Sequence, residues 1–186
     1  LMYGMAVDID NVINYLKGEL DKENSLINQV SKIINFEDIN IIGHSTGGGA
    51  GILYCSIYQS CSSYMGQDTY GAPTLDEKYP IKFDAPAVYI YSEDWFDSPL
   101  NEYGPTEIDN YLNDFQNKNT YGYYISGTGH YDFLAFGSLS PLAGRTILKG
   151  PIKYQDSYEI LNGLNLQLIR DKEITFENYP FLNSLK

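Results

Sequence analysis

Residues 39–51 read Ile39-Asn40-Ile41-Ile42-Gly43-His44-Ser45-Thr46-Gly47-Gly48-Gly49-Ala50-Gly51. A short β-favouring apolar run leads into Gly43-His44-Ser45-Thr46-Gly47, and very small residues follow. A serine carried on a sharp strand-to-helix turn needs neighbours two positions away with little or no side chain, because surrounding backbone crowds so tight a turn. Gly43 and Gly47 supply that room in this reading, while Gly48, Gly49 and Gly51 let the next helix lie close against the strands. The helix N-terminus directs free N–H groups and partial positive charge to where an oxyanion would develop. An ordinary glycine-rich loop is the bland alternative. The strand before the motif and the helix-compatible stretch after it favour a nucleophile elbow.

Working outward, Ile9, Val12, Ile13, Leu16 and Leu20 recur at helical spacing, and so do Leu26, Ile27, Val30, Ile33 and Ile34 after a polar break at Asp21 to Ser25. Both faces read as cover for a sheet. Strand signals follow the first strand at Ser63 to Gly66, Ala87 to Tyr91 and Tyr121 to Ser126. Helical patterns separate most of them, at Thr46 to about Gln59, Thr106 to Asn117 and about Gln155 to Arg170. Strands alternating with helices predict an α/β fold, a mostly parallel sheet wrapped on both faces, whose functional side chains gather at the strands' carboxyl ends. Ser45, Asp68, Asp94 and His130 all sit just past a predicted strand.

Composition bounds the function. With 186 residues, 43% of them apolar, the chain can bury one sizeable core, so residues 1–186 are read as a single domain. Twelve basic side chains are scattered among twenty-four acidic ones, for a net charge of −12. That balance argues against nucleic acid and against anionic membrane surfaces as partners. No stretch reaches the roughly 18 uninterrupted apolar residues of a membrane span. The opening residues do not read as a signal sequence, and because a helix begins almost at once the true N-terminus is expected elsewhere. Cys55 and Cys61 are read as free packing residues, with a bridge from the elbow helix to the next strand as the alternative. Such a bridge would place the chain in an oxidising, extracytoplasmic compartment. Two histidines and two cysteines fall into no metal-ligand spacing, and no Gly-Lys-Ser or Gly-Lys-Thr follows the glycines, so no metal, cofactor or phosphate loop is predicted.

A serine hydroxyl is a poor nucleophile without an adjacent base. His44 points away from the serine on such a turn and is read as structural. His130, approached through Gly127-Thr128-Gly129, is the competent partner. A carboxylate must then fix the imidazole tautomer. Asp68 and Asp94 rank together, since both lie at strand ends between serine and histidine, while Glu93 and Asp97 are weaker candidates. Asp132 stands too near His130 in sequence to orient its ring and is read as a helix cap near Phe133. Trp95, Phe96, Tyr131, Phe133 and Phe136 cluster near these positions and could line an acyl or lipid pocket, or be core and rim aromatics.

With these residues in view, the chain resembles a known family. The elbow Gly43 to Gly48, the segment Gly66-Gln67-Asp68-Thr69-Tyr70-Gly71, and above all Gly129-His130-Tyr131-Asp132-Phe133 with Ser140-Pro141-Leu142 and Leu148-Lys149-Gly150-Pro151-Ile152 look like the α/β-hydrolases of the platelet-activating factor acetylhydrolase type and their bacterial relatives. The resemblance runs from about Asp8 to the C-terminus. It implies a serine esterase acting on short-chain acyl or phospholipid-type acetyl esters, with a small ester or lipid as substrate. Polyester-degrading and general carboxylesterases share the elbow, and a non-catalytic binding module on the same fold is the contrasting reading. The family's acid lies after the strand following the elbow helix, which selects Asp68, with Asp94 as fallback. The Thr46 N–H becomes one oxyanion donor. Family members begin with further strands and a loop carrying the second donor, so the chain reads as the C-terminal half of the fold, with an N-terminal half or a partner chain missing.

Overall fold

A computed structural model describes residues 1–31, 33–70, 84–96, 119–134, 154–175 and 179–185. The helix expected at Thr106 to Asn117, together with Gly71, Asp97, Phe136, Ser140 to Leu142 and Leu148 to Ile152, lies outside them. So does the Phe96 side chain. Among the described residues the elements in chain order are α1 (Met2–Leu20), α2 (Leu26–Val30), β1 (Asn40–His44), α3 (Thr46–Tyr58), β2 (Ser63–Gln67), β3 (Ala87–Ser92), α4 (Glu93–Phe96), β4 (Thr120–Ile125), a 3₁₀ turn (His130–Phe133), α5 (Tyr154–Asp171) and β5 (Leu182–Ser184).

The strands lie in the order β1-β2-β3-β4-β5. The first four are parallel and β5 runs antiparallel to β4. This is the mostly parallel α/β sheet that alternating strands and helices predict, with one short strand more. β3 shows why it must be covered on both sides. Side chains alternate across a strand, and on β3 Ala87, Tyr89 and Tyr91 pack on one face with Ile52, Leu53, Tyr54 and Tyr64. Val88 and Ile90 pack on the other face with Met65, Ile125, Leu161, Leu164 and Leu168. All six β3 residues are buried, so a helix layer on each face is required. α3 supplies the first, with α1 laid against it through Met2 and Ala6, and α5 supplies the second. No helix among the described residues is long and apolar enough to cross a membrane.

Three local readings change. The helix expected to run through Ile34 stops at Val30, capped at its start by Ser25, whose Oγ accepts from Asn28 N at 2.9 Å. Ile27, Val30 and Ile34 are only half-buried. Leu26 is 72% exposed and Ile33 84% exposed, so this segment does not cover the sheet as its periodicity suggested. On α1, Val12 likewise faces outward. Finally, Cys55 and Cys61 are bridged rather than free. Gln59 ends α3 in the left-handed region at φ 52° and its N–H bonds back to the Cys55 carbonyl. That reversal brings the two Cα atoms to 5.2 Å, within disulfide range.

Candidate active site

The turn between β1 and α3 is as tight as its glycines imply. A Cβ on Gly43 would lie 2.5 Å from the Gly47 carbonyl oxygen and 2.7 Å from Gly48 N, distances no side chain tolerates. Gly47, by contrast, faces open space, so crowding there is not what its position answers. Ser45 itself sits at φ 52°, ψ −123°, a region that costs a non-glycine residue of order 1–3 kcal/mol. The surrounding bonds hold it there. Ser45 N donates to the Gln67 carbonyl at 2.9 Å, and its own carbonyl accepts from Gly48 N at 3.0 Å and Tyr70 N at 3.1 Å. Its hydroxyl caps no N–H of α3, which leaves the oxygen available above the helix N-terminus, where the Thr46 N–H also lies.

Asp68 follows β2 at φ 43° and is completely buried. Its backbone N–H donates to the Ile90 carbonyl at 2.8 Å. The carboxylate is fully engaged: Oδ1 accepts from Ser92 N at 2.6 Å, and Oδ2 accepts from Ser92 Oγ at 2.6 Å and from His130 Nδ1 at 3.0 Å. A carboxylate on Nδ1 fixes the imidazole with its Nε2 free to accept a proton. Asp94 takes a different place. It lies exposed on α4, its backbone N donates to the Thr128 carbonyl at 3.2 Å, and its carboxylate stands beside Gly129. Asp68 therefore pairs with His130 and Asp94 does not.

The loop that delivers His130 is pinned at every step. Glu93 accepts from Gly127 N at 2.9 Å, the Thr128 hydroxyl donates to the Ile125 carbonyl at 2.7 Å, and Asp132 accepts from Gly129 N at 2.6 Å. Asp132 is thus a cap, of the 3₁₀ turn that begins at His130 itself. His44 supports the loop from β1, with Nε2 3.0 Å from the His130 carbonyl and the two rings 4.4 Å apart. Burial, seconded by the nearby His130, lowers the His44 pKa, so the neutral ring donates Nε2–H to that carbonyl. On the far side the Trp95 indole stacks on the His130 imidazole, with centroids 4.3 Å apart and planes inclined by 18°. Tyr131 meets its edge. Phe133, left open between pocket and core by the sequence, is core on the α5 side.

His44, Asp68 and His130 bring one ligand-capable atom each within 4.8 Å of one another, a grouping that could hold a metal ion. Hydrogen bonds already engage both Asp68 oxygens, His130 Nδ1 and His44 Nε2. Ser45 Oγ and the His130 ring are not hydrogen-bonded to each other among the described residues. Ser92 is the residue that sequence reasoning missed. Its signal was present: a serine at a strand end followed by Glu93 and Asp94 is an N-cap pattern, and Ser92 Oγ accepts from Trp95 N at 3.3 Å while donating to Asp68.

No family model matches this chain, and no curated protein does. Among solved structures it is similar to a ferulic acid esterase from Streptomyces cinnamoneus, with a TM-score of 0.67 and 11% sequence identity. The match covers 100% of this chain and 55% of that one, so the chain spans about half the length of its structural neighbour. The fold is accordingly of the α/β-hydrolase type, and its neighbour is an esterase.

Proposed function

We propose that the chain is a serine hydrolase of carboxylic esters, a single α/β-hydrolase unit over residues 1–186, with Ser45 as nucleophile, His130 as general base, Asp68 as the acid that orients it and the Thr46 N–H as an oxyanion donor. One observation carries the reading. A serine held at φ 52° on a strand-to-helix turn shares its sheet end with a buried Asp68 bonded to His130 Nδ1 at 3.0 Å. Strain of this kind persists only where surrounding structure over-determines it, and a nucleophile elbow is such a place.

In this mechanism Ser45 Oγ attacks the ester carbonyl as His130 Nε2 takes its proton, and the oxyanion develops against the Thr46 N–H. The proton passes to the leaving alcohol, a water repeats the sequence on the acyl-enzyme, and the acid departs. Apo serine–histidine contacts are often loose and tighten with substrate bound, which accounts for the unbonded Ser45 hydroxyl. The resemblance to acetylhydrolases favours short-chain acyl or phospholipid-type acetyl esters. Polyester and general carboxylic esters form the neighbouring class, as does the ferulate class named by the structural neighbour.

The same unbonded pair supports one contrasting reading, a non-catalytic binding module on a hydrolase fold. Fluorophosphonate labelling separates the two. Incorporation that vanishes in Ser45→Ala supports the esterase, and no incorporation into the full-length protein supports the module. A series of p-nitrophenyl esters of rising chain length, with methyl ferulate as an aromatic arm, then reads the acyl preference.

A further inference from the structure

We propose that Trp95 is a positioning residue for His130: its indole face fixes the plane of the imidazole on Asp68 and stabilises the imidazolium that forms when the ring takes up the serine proton. The inference rests on the esterase reading above for its catalytic half, and on geometry alone for the contact.

Centroids at 4.3 Å with an 18° inclination put the two rings face to face, an arrangement in which an indole quadrupole attracts a cation. The face is what the residue contributes. Trp95 Nε1 is buried without a hydrogen-bond partner among the described residues, a cost that a residue kept for its N–H would not carry. The ring is aimed by the same side chain that holds the acid, because Ser92 Oγ accepts from Trp95 N and donates to Asp68 Oδ2. Thus one hydroxyl links the stacking residue, the carboxylate and, through it, the base. With 20% of its side chain exposed, His130 would otherwise be free to swing toward solvent from a single bond at Nδ1.

The charged and titratable groups against the ring are Asp68 past β2, His44 on β1 and Tyr131 on its own turn, while Glu93, Asp94 and Asp132 stand at the loop that carries it and Tyr158 and Glu159 lie on α5, which packs on that turn. Trp95 is the single tryptophan of the chain. Its emission therefore reports on His130 without interference, since a cation held against an indole face quenches fluorescence that the neutral ring leaves bright.

The test uses the full-length protein. Tryptophan emission is expected to rise from mildly acid to mildly alkaline pH, to lose that response in His130→Gln and to keep it in His44→Gln. Trp95→Leu should lower kcat about tenfold with KM within twofold, and Trp95→Phe, which keeps an aromatic face, should stay within about threefold of the unaltered protein. The two readings fail separately. A full-length protein that takes up no fluorophosphonate sinks the esterase and, with it, the catalytic role of Trp95. A labelled, active protein whose emission does not follow His130, or whose Trp95→Leu form keeps its kcat, overturns this inference alone.

Discussion

Replacing Asp68 by asparagine tests the assignment of the acid, because the bonds around its carboxylate dictate how an amide must sit. Three donors converge on two oxygens: Ser92 N on Oδ1, and Ser92 Oγ and His130 Nδ1 on Oδ2. The Ser92 N–H is fixed backbone and the site is completely buried, so turning the amide nitrogen toward it would set two donors face to face. That leaves a buried N–H unpaired, at about 1–3 kcal/mol. The amide oxygen therefore takes the Oδ1 place and its NH₂ faces His130. Ser92 Oγ rotates to accept. His130 Nδ1 must also become an acceptor, which moves the ring proton to Nε2, where it blocks uptake of the serine proton. An orientation preference of that size puts the ring in the wrong tautomer by roughly ten- to a hundredfold, and loss of the carboxylate's stabilisation of imidazolium adds to it. The expected fall in kcat for p-nitrophenyl acetate is about 10³- to 10⁴-fold, in line with comparable Asp-to-Asn changes in serine hydrolases. Asp94→Asn keeps the Asp94 backbone bond to Thr128 and should stay within threefold. Equal activity of Asp68→Asn and the unaltered protein, or a collapse confined to Asp94→Asn, would refute the assignment.

Three further perturbations follow from other parts of the structure. Ser45→Gly should relieve the backbone strain at φ 52° and, after the entropy cost of glycine, gain about 1 kcal/mol while abolishing labelling; Ser45→Ala keeps the strain, so equal melting temperatures for the two would contradict it. Changing Cys55 and Cys61 to serine opens a loop with a sequence separation of 6 and should cost about 2 kcal/mol in urea unfolding, a loss that dithiothreitol reproduces in the unaltered protein and leaves unchanged in the variant. His44 has its pKa lowered from 6.5 by burial, so the unfolded chain binds more protons as pH falls below that value. The stability it contributes is complete above 6.5 and drains away as pH drops toward the folded pKa; urea midpoints above neutrality and in mild acid should diverge less in His44→Gln, and an unchanged slope would count against the reading.

The tight turn after β1 was legible because an apolar strand runs straight into Gly43 and a run of small residues, and a Cβ on Gly43 would stand 2.5 Å from backbone. β3 was legible because Ala87 to Tyr91 is apolar on both parities, the pattern of a strand covered twice. The choice between Asp68 and Asp94 was not legible from the residues alone, which ranked them together, since it turns on the path of a loop with no periodic trace; only the resemblance favoured Asp68. β5 spans three residues at the sheet edge, too short to show alternation. Leu26 and Ile33 carried a helical period and yet stand exposed, a tertiary fact invisible in sequence. The cysteine bridge depended on the left-handed turn at Gln59, a conformation with no glycine to announce it.

What places these residues is the register of the sheet, carried one or two residues past each strand. Ser45 N donates to the Gln67 carbonyl at the end of β2, Asp68 N to the Ile90 carbonyl of β3, and Asp94 N to the Thr128 carbonyl beyond β4. Each post-strand residue is thus docked on its neighbour, so Ser45 and Asp68 stand about one strand spacing apart, near 5 Å. His130 arrives from β4, two strands from Asp68, and its ring must cross the end of β3 to reach the carboxylate. That crossing explains why the strand between them ends in a serine. Ser92, doubly bonded to Asp68, holds the carboxylate from that strand end, and its hydroxyl accepts from the N–H of Trp95, whose indole stacks on the imidazole. Alanine at position 92 would strip Asp68 of its shortest side-chain bond, the one from Ser92 Oγ at 2.6 Å. One hydroxyl at the end of β3 thus ties Asp68, and through it His130, to the start of α4.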